Sequence, residues 1–266
     1  MRMAVVEAPR MGTAWPDRVT RFEDWGFHAV LTPDTLWTPS PFPVLAAAAS
    51  VTTRLRLRTW VAAAPLRTPA ALVREVGALQ SLSGGRFDLG IGVGRPDAEG
   101  EAHRLTMPWG TVGERIAQVE ESVGAVREGV DPAPEIVVSA AGRRMLAAAG
   151  RAADRVALAL GPTTTADELA RTVGLARELC GPTMPFTLSV VGIGDLMPAW
   201  LGRDGLTPRG IRDGGGIGVL DADPDRAAEA LLTYEDRHGI DEVTVPGELA
   251  EAFAPVLARL PRLTRR

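Results

Sequence analysis

Short apolar runs alternate with amphipathic stretches from one end of the 266-residue chain to the other. Eight runs have strand length and composition, at 3–6, 29–32, 55–61, 87–93, 135–139, 155–160, 186–191 and 242–245. Between them the apolar spacing becomes helical. Leu72, Val76, Leu79 and Leu82 form one stripe behind Thr68 and Pro69, a cap followed by a proline at the first helical position. Ile116, Val119, Val123 and Val126 form another. "TADEL" from Thr165 has the form of a capping box with Glu168 at its third position, ahead of Leu169, Val173 and Ala176. Asp223 and Pro224 open a helix through Ala227, Leu231 and Tyr234. Eight strand–helix units in this length predict an α/β fold, a single (β/α)8 TIM barrel over 1–266 with a short insertion after strand 4. A doubly wound sheet is the alternative, weakened because no G-x-G-x-x-G follows the first strand. The least regular stretch, 195–220, predicts a long loop at a barrel end.

The fourth run, "RFDLGIGVG" at 86–94, breaks the pattern of its neighbours. Phe87, Leu89, Ile91 and Val93 share one face, and Asp88, Gly90, Gly92 and Gly94 share the other. Glycine weakens a strand interior, so the run implies a ligand, a bulge or a close backbone approach. Arg58 on the preceding strand needs a partner if it is buried, and Asp88 is a candidate.

Composition narrows the chemistry. The chain is 45% hydrophobic and 23% charged with formal net charge −4, and it has no polybasic surface signal for nucleic acid. No apolar run is long enough to cross a bilayer, and "MRMAVVEAPR" lacks the apolar core of a secretion signal. One cysteine, Cys180, permits no internal disulfide, which fits a cytoplasmic location. All 29 basic residues are arginine, which excludes lysine Schiff bases and a P-loop. Three dispersed histidines give no metal-binding spacing, and no G-x-S-x-G is present.

"FEDWGFHAVLTPD" (22–34), the stretch 51–94 ending "LSGGRFDLGIGVG", and "PEIVVSAAGRRMLAAAGRAADRVAL" (134–158) resemble the bacterial luciferase-like oxidoreductases. The likeness extends more weakly over 222–245. It implies a TIM barrel that uses FMN or coenzyme F-420 on a small-molecule substrate, and a homodimer. It also implies that the cofactor phosphate sits on "SAAGRRML" (139–146), a strand end opening a helix. Helix-start N–H groups bind anions, Ser139 adds a hydroxyl, Gly142 leaves room and Arg143 or Arg144 adds charge, with Ala140 and Ala141 between them. The bland alternative is a plain helix start with solvated arginines.

By the same resemblance, Gly90, Gly92 and Gly94 leave space for the cofactor ring, with tight packing as the alternative. Thr59 and Trp60 line that ring or belong to the core, in a segment where members often carry a non-prolyl cis peptide. "TPDTLW" (32–37) ends the second strand, and many relatives have histidine after the aspartate. Here Thr35 follows Asp34, and threonine does not shuttle a proton near neutral pH. Asp34 then positions a substrate or caps a turn. Glu101 is a candidate acid or base beside Glu99 and His103, with solvated loop charges as the commoner explanation. The leading function is a two-electron oxidoreductase using F-420 for hydride transfer or FMN for monooxygenation. A non-catalytic barrel subunit is the rival, and 195–220, carrying Trp200, Arg203 and Arg209, is the expected lid.

Overall fold

The computed structural model describes residues 1–10, 14–203 and 205–261. Eight strands carry the architecture: β1 (Arg2–Val6), β2 (Ala29–Thr32), β3 (Arg56–Thr59), β4 (Phe87–Gly92), β5 (Glu135–Ala140), β6 (Arg155–Leu158), β7 (Phe186–Ser189) and β8 (Ile240–Pro246). Each pairs in parallel with its sequence neighbour. β1 also pairs with β8, from Arg2 opposite Glu242 to Val6 opposite Pro246, and so closes the sheet. Closure decides for the (β/α)8 barrel over the open doubly wound sheet.

Eight helices follow the strands in turn: α1 (Trp15–Trp25), α2 (Pro41–Ala49), α3 (Pro69–Ser83), α4 (Val112–Gly129), α5 (Arg143–Ala152), α6 (Ala166–Cys180), α7 (Pro224–His238) and α8 (Ala250–Leu257). Their start signals act as the sequence implies. Thr68 accepts the Ala71 N–H at 3.2 Å, and Thr165 with Glu168 forms the expected capping box. Thr111 with Glu114 forms a second box of the same T-x-x-E form.

Alternation along the strands sorts side chains into two environments. Met3, Val5, Val30, Leu57, Leu89, Ile91, Val138 and Val243 join the helices in the main core, with Leu45, Val76, Val123, Leu146, Leu169, Leu231 and Phe253. Inside the barrel, Ala4, Ala29 and Leu31 form a small apolar layer with Trp60 packed on it.

Three elements depart from the sequence pattern. The apolar run 55–61 is divided: β3 stops at Thr59, the Trp60–Val61 peptide is cis, and Ala62–Ala63 pairs again with Ile91 and Gly92 of β4. The segment after β4 contains a short helix, Glu99–Arg104. The described residues of 195–220 include two short helices, Ala199–Gly202 and Pro208–Asp213. Its ends are joined by a two-stranded parallel ribbon of Gly192–Ile193 with Val219–Leu220. Among the described residues, no helix is long and apolar enough to cross a membrane.

Candidate active site

At its N-terminal end the barrel interior is filled with charge. Arg58, fully buried, pairs with Glu242 at 2.5 Å and with Asp88 at 3.1 Å, so the partner inferred from sequence is correct but shared. Arg56 also pairs with Asp88, and Arg155 with Glu135 and Asp241. Burial works against the Arg58 charge, but the two carboxylates outweigh it and hold its pKa above the usual guanidinium range. Burial likewise works against the Glu242 charge, yet Arg58, Arg2 and the Thr187 hydroxyl pull its pKa down to about 2. His28 beside them is pushed down to about 4, by burial first and then by Arg2. Such a network positions the strands and excludes water. It leaves no carboxylate free for substrate.

At the C-terminal strand ends a cavity of about 800 Å³ opens. Val6 and Glu7 contribute from β1, Pro33, Trp37 and Thr38 from the turn after β2, and Trp60 from the end of β3. Leu160 and Pro162 follow β6, Ser189 ends β7, and Thr244 to Glu248 run from β8. Trp200 and Leu201 of the region 195–220 form part of the wall. The chemistry of a barrel enzyme belongs at this face. Another hollow, lined by Asp225, Asp236, Arg237 and Arg259, lies on the outer surface away from the strand ends.

The glycine face of β4 has a physical cause. A Cβ on Gly90 would lie 1.9 Å from the Thr59 carbonyl oxygen. Thr59 itself is buried and donates its hydroxyl to the Gly90 carbonyl at 2.7 Å. A Cβ on Gly92 would meet Val61 at 3.0 Å and Ser139 at 3.5 Å. Gly94, at φ +82°, has the Trp109 ring where a side chain would start. The expectation of free space over these glycines is therefore corrected: the segment at the end of β3 lies over Gly90 and Gly92, and the Trp109 ring lies over Gly94. Trp60 answers both of its readings, because it packs on the barrel interior and lines the cavity.

The three residues expected to be catalytic are brought together, but their polar groups are engaged by the protein. Asp34 accepts the Ala63 N–H at 3.0 Å and forms a two-pronged ion pair with Arg67. Thr35 shares a hydrogen bond of 2.9 Å with Thr38 inside the turn. Glu101, the candidate acid or base for which a solvated loop charge is the alternative, is 4% exposed. It accepts the Leu36 N–H at 2.9 Å and pairs with Arg95. Neither carboxylate borders the cavity. They fasten the segments after β3 and β4 to the turn after β2.

The phosphate candidates sit one strand away from the cavity wall. Ala140 ends β5 and its carbonyl accepts the Ala159 N–H at 3.0 Å, next to Leu160 of the lining. Ser139 and Ala141 are half-buried, and Gly142 is the N-cap residue of α5 with no side chain capping the helix. Nothing lies within 4 Å of a Cβ on Gly142, and Arg143 is exposed with a 3.4 Å pair to Glu178. An uncapped helix start with open space over its glycine suits a phosphate. Among the described residues no cluster suits a metal ion.

Sequence reasoning passed over Glu7, Trp37, Ser189, Thr244 and Glu248 at the mouth. Their signal was available, since each lies at or just past the C-terminal end of a barrel strand. The lid expected in 195–220 is also relocated. Trp200 and Leu201 reach the cavity, whereas the described residues of 203–216 do not border it. Arg212 ties that part back to the Gly194 carbonyl and Asp195.

Residues 12–181 match the family model described as luciferase-like monooxygenase. The chain belongs to that family. A putative coenzyme F-420-dependent oxidoreductase of Mycobacterium tuberculosis is 33% identical over 183 residues, covering 64% of this chain and 50% of that one. The chain spans 65% or less of the length of the curated relatives it matches. Among solved structures, the coenzyme F-420-dependent tetrahydromethanopterin reductase of Methanopyrus kandleri superposes with a TM-score of 0.74 at 16% identity. That match covers 97% of this chain and 98% of the other. A long-chain alkane monooxygenase gives 0.75 at 13% identity, over 100% and 93%. The family resemblance and the barrel read from the sequence are both borne out.

Proposed function

We propose that the chain is an oxidoreductase that holds coenzyme F-420 or FMN at the barrel mouth, with F-420 and hydride transfer the favoured form. The observation that carries this reading is a large apolar cavity at the strand C-termini flanked by an uncapped helix N-terminus. Similarity to a relative described as F-420-dependent supports the choice of deazaflavin. When bound, the cofactor supplies a two-electron redox centre that protein side chains lack.

The chain's own residues supply position and environment. Ser139, the N–H groups of 141–143 and the Arg143 guanidinium would hold the phosphate, and Gly142 leaves it room. Trp60 forms a wall of the cavity and keeps water from that side. Asp34 and Glu101 keep the surrounding segments in register and carry no proton to substrate.

Absorbance spectra and thermal unfolding with each cofactor test the proposal. A ligand at a hundredfold excess over its Kd stabilises by about 2.7 kcal/mol, so a rise of roughly 5 °C or more is expected. Gly142→Val and Arg143→Ala should each weaken cofactor binding while the fold is kept. Unchanged affinity in both moves the phosphate elsewhere. A chain stabilised by neither cofactor is a non-catalytic barrel.

A further inference from the structure

Three of the chain's six tryptophans meet in one cavity, from three different segments. Trp37 stands in the turn after β2, Trp60 follows β3, and Trp200 rides on the short helix after β7. Trp37 is 67% exposed and Trp200 is 53% exposed, which are large apolar surfaces to leave in water. Among the described residues, none of these indoles packs against another aromatic ring.

Trp37 is also held in place. The Arg95 guanidinium lies 4.4 Å from the centre of its ring, and buried Glu101 holds Arg95 while accepting the N–H of Leu36 beside the tryptophan. Arg95 does not border the cavity, so the guanidinium covers the indole from outside it. An exposed indole fixed this way keeps its shape in the absence of ligand, and a fixed surface loses little freedom on binding. The lining includes three charged residues, Glu7, Arg10 and Glu248, among mostly apolar ones. Glu7 is committed to Arg18 at 2.8 Å, and the Thr244 hydroxyl is hydrogen-bonded to Ser189 at 3.1 Å. These features favour a ligand recognised by flat apolar contact with a few hydroxyl hydrogen bonds at its edge.

We infer that Trp37 and Trp200 clamp the substrate, and that the substrate is a flat, fused-ring aromatic compound. This rests on the reading of the mouth as the reaction site. Trp37 and Trp200 act on substrate by direct contact, and Glu101 and Arg95 are positioning residues that act through Trp37.

Phenazine is a suitable flat probe and 1-decanol a suitable apolar but non-planar control. Calorimetric titration of the full chain, alone and with FMN or F-420 present, measures both without requiring turnover. Phenazine is expected to bind more tightly than decanol. Trp37→Ala and Trp200→Ala should each weaken phenazine at least tenfold, leave decanol within about twofold, and retain the circular dichroism spectrum. Glu101→Gln should weaken phenazine about threefold and alter the near-ultraviolet tryptophan signal. Equal affinity for the two probes, or unchanged phenazine binding in the double tryptophan variant, overturns the clamp. An equal loss of cofactor affinity in the tryptophan variants also overturns it, because the indoles would then serve the cofactor ring. Absence of cofactor binding with phenazine recognition intact strikes the oxidoreductase proposal alone and supports the clamp.

Discussion

At the N-terminal end of the barrel, Arg58, Asp88 and Glu242 fill the interior with charge that water does not reach. At the C-terminal end of the same interior, Trp37, Trp60 and Trp200 wall a cavity, and two of those indoles are more than half exposed. A buried ion network is costly to disturb because each removed charge leaves another unpaired in a low-dielectric space. An exposed indole supports little of the fold. The barrel thus concentrates its structural dependence at one end and leaves the other end available for recognition.

The sharpest way to break this contrast is to delete one charge at the base. Arg58→Met leaves Glu242 buried without its guanidinium partner and Asp88 with Arg56 alone, and should lose about 3–5 kcal/mol in urea unfolding. Trp200→Ala should stay within about 0.5 kcal/mol of the parent. Similar losses in the two variants would show that the two ends are not mechanically distinct.

Acid should act through the base as well. His28 is neutral in the fold down to about pH 4, whereas its ordinary value is 6.5. Between those values the unfolded chain binds the proton and the folded chain does not, so stability falls as pH drops from 6.5 towards 4. Glu242, pulled down to about 2, has the same sign and extends the loss below pH 4.5. Arg2, Arg58, Asp88 and Glu242 are the charged groups acting on His28. The His28 part should be on the order of 2–3 kcal/mol, measured as unfolding free energy at pH 7, 5 and 4. His28→Asn should flatten the slope between pH 6.5 and 4.5. A slope unchanged in that variant assigns the acid sensitivity elsewhere.

The glycine face of β4 links the two ends, and it sharpens the comparison in a different way. Gly90→Ala drives a methyl group into the Thr59 carbonyl, which cannot yield without moving the end of β3 and with it Trp60. A loss of about 1–3 kcal/mol is expected, together with altered tryptophan fluorescence. A variant as stable as the parent, with the same emission, would mean that the end of β3 adjusts freely.

Much of the scaffold was legible because its signals are local. Strand alternation, the Thr165–Glu168 box and the Asp223–Pro224 start each depend on residues a few positions apart. The glycines of β4 were legible as a constraint, though the cause lay in the backbone of another strand, which spacing within one run does not encode. Arg58 announced a buried partner, and Asp88 was found because adjacent strands lie in register there. The candidate site was less legible. Asp34 and Glu101 have the residue types of catalysis, but their partners Arg67 and Arg95 come from other turns, and only the fold shows that both are occupied. Trp37 and Trp200 are 163 positions apart by number, and nothing in either local sequence predicts that they border one cavity.

A smaller loss than at the base is expected at Glu101, and it is the most selective for the mouth. Glu101→Gln keeps an oxygen that can accept the Leu36 N–H but removes the charge that holds Arg95. Because the Arg95 side chain is about a third exposed, water compensates much of the lost ion pair, and stability should fall by only about 1 kcal/mol. The larger change should be local: Arg95 is released from above Trp37, so the near-ultraviolet circular dichroism of the indole weakens. High salt should reproduce little of this in the parent, since the Glu101 carboxylate is 4% exposed and screened poorly. Glu99→Gln, on an exposed position of the same short helix, is the matched control and should change neither quantity. If the two variants are indistinguishable in both stability and indole signal, Glu101 does not fasten the mouth, and the order seen around Trp37 must come from the turn after β2 itself.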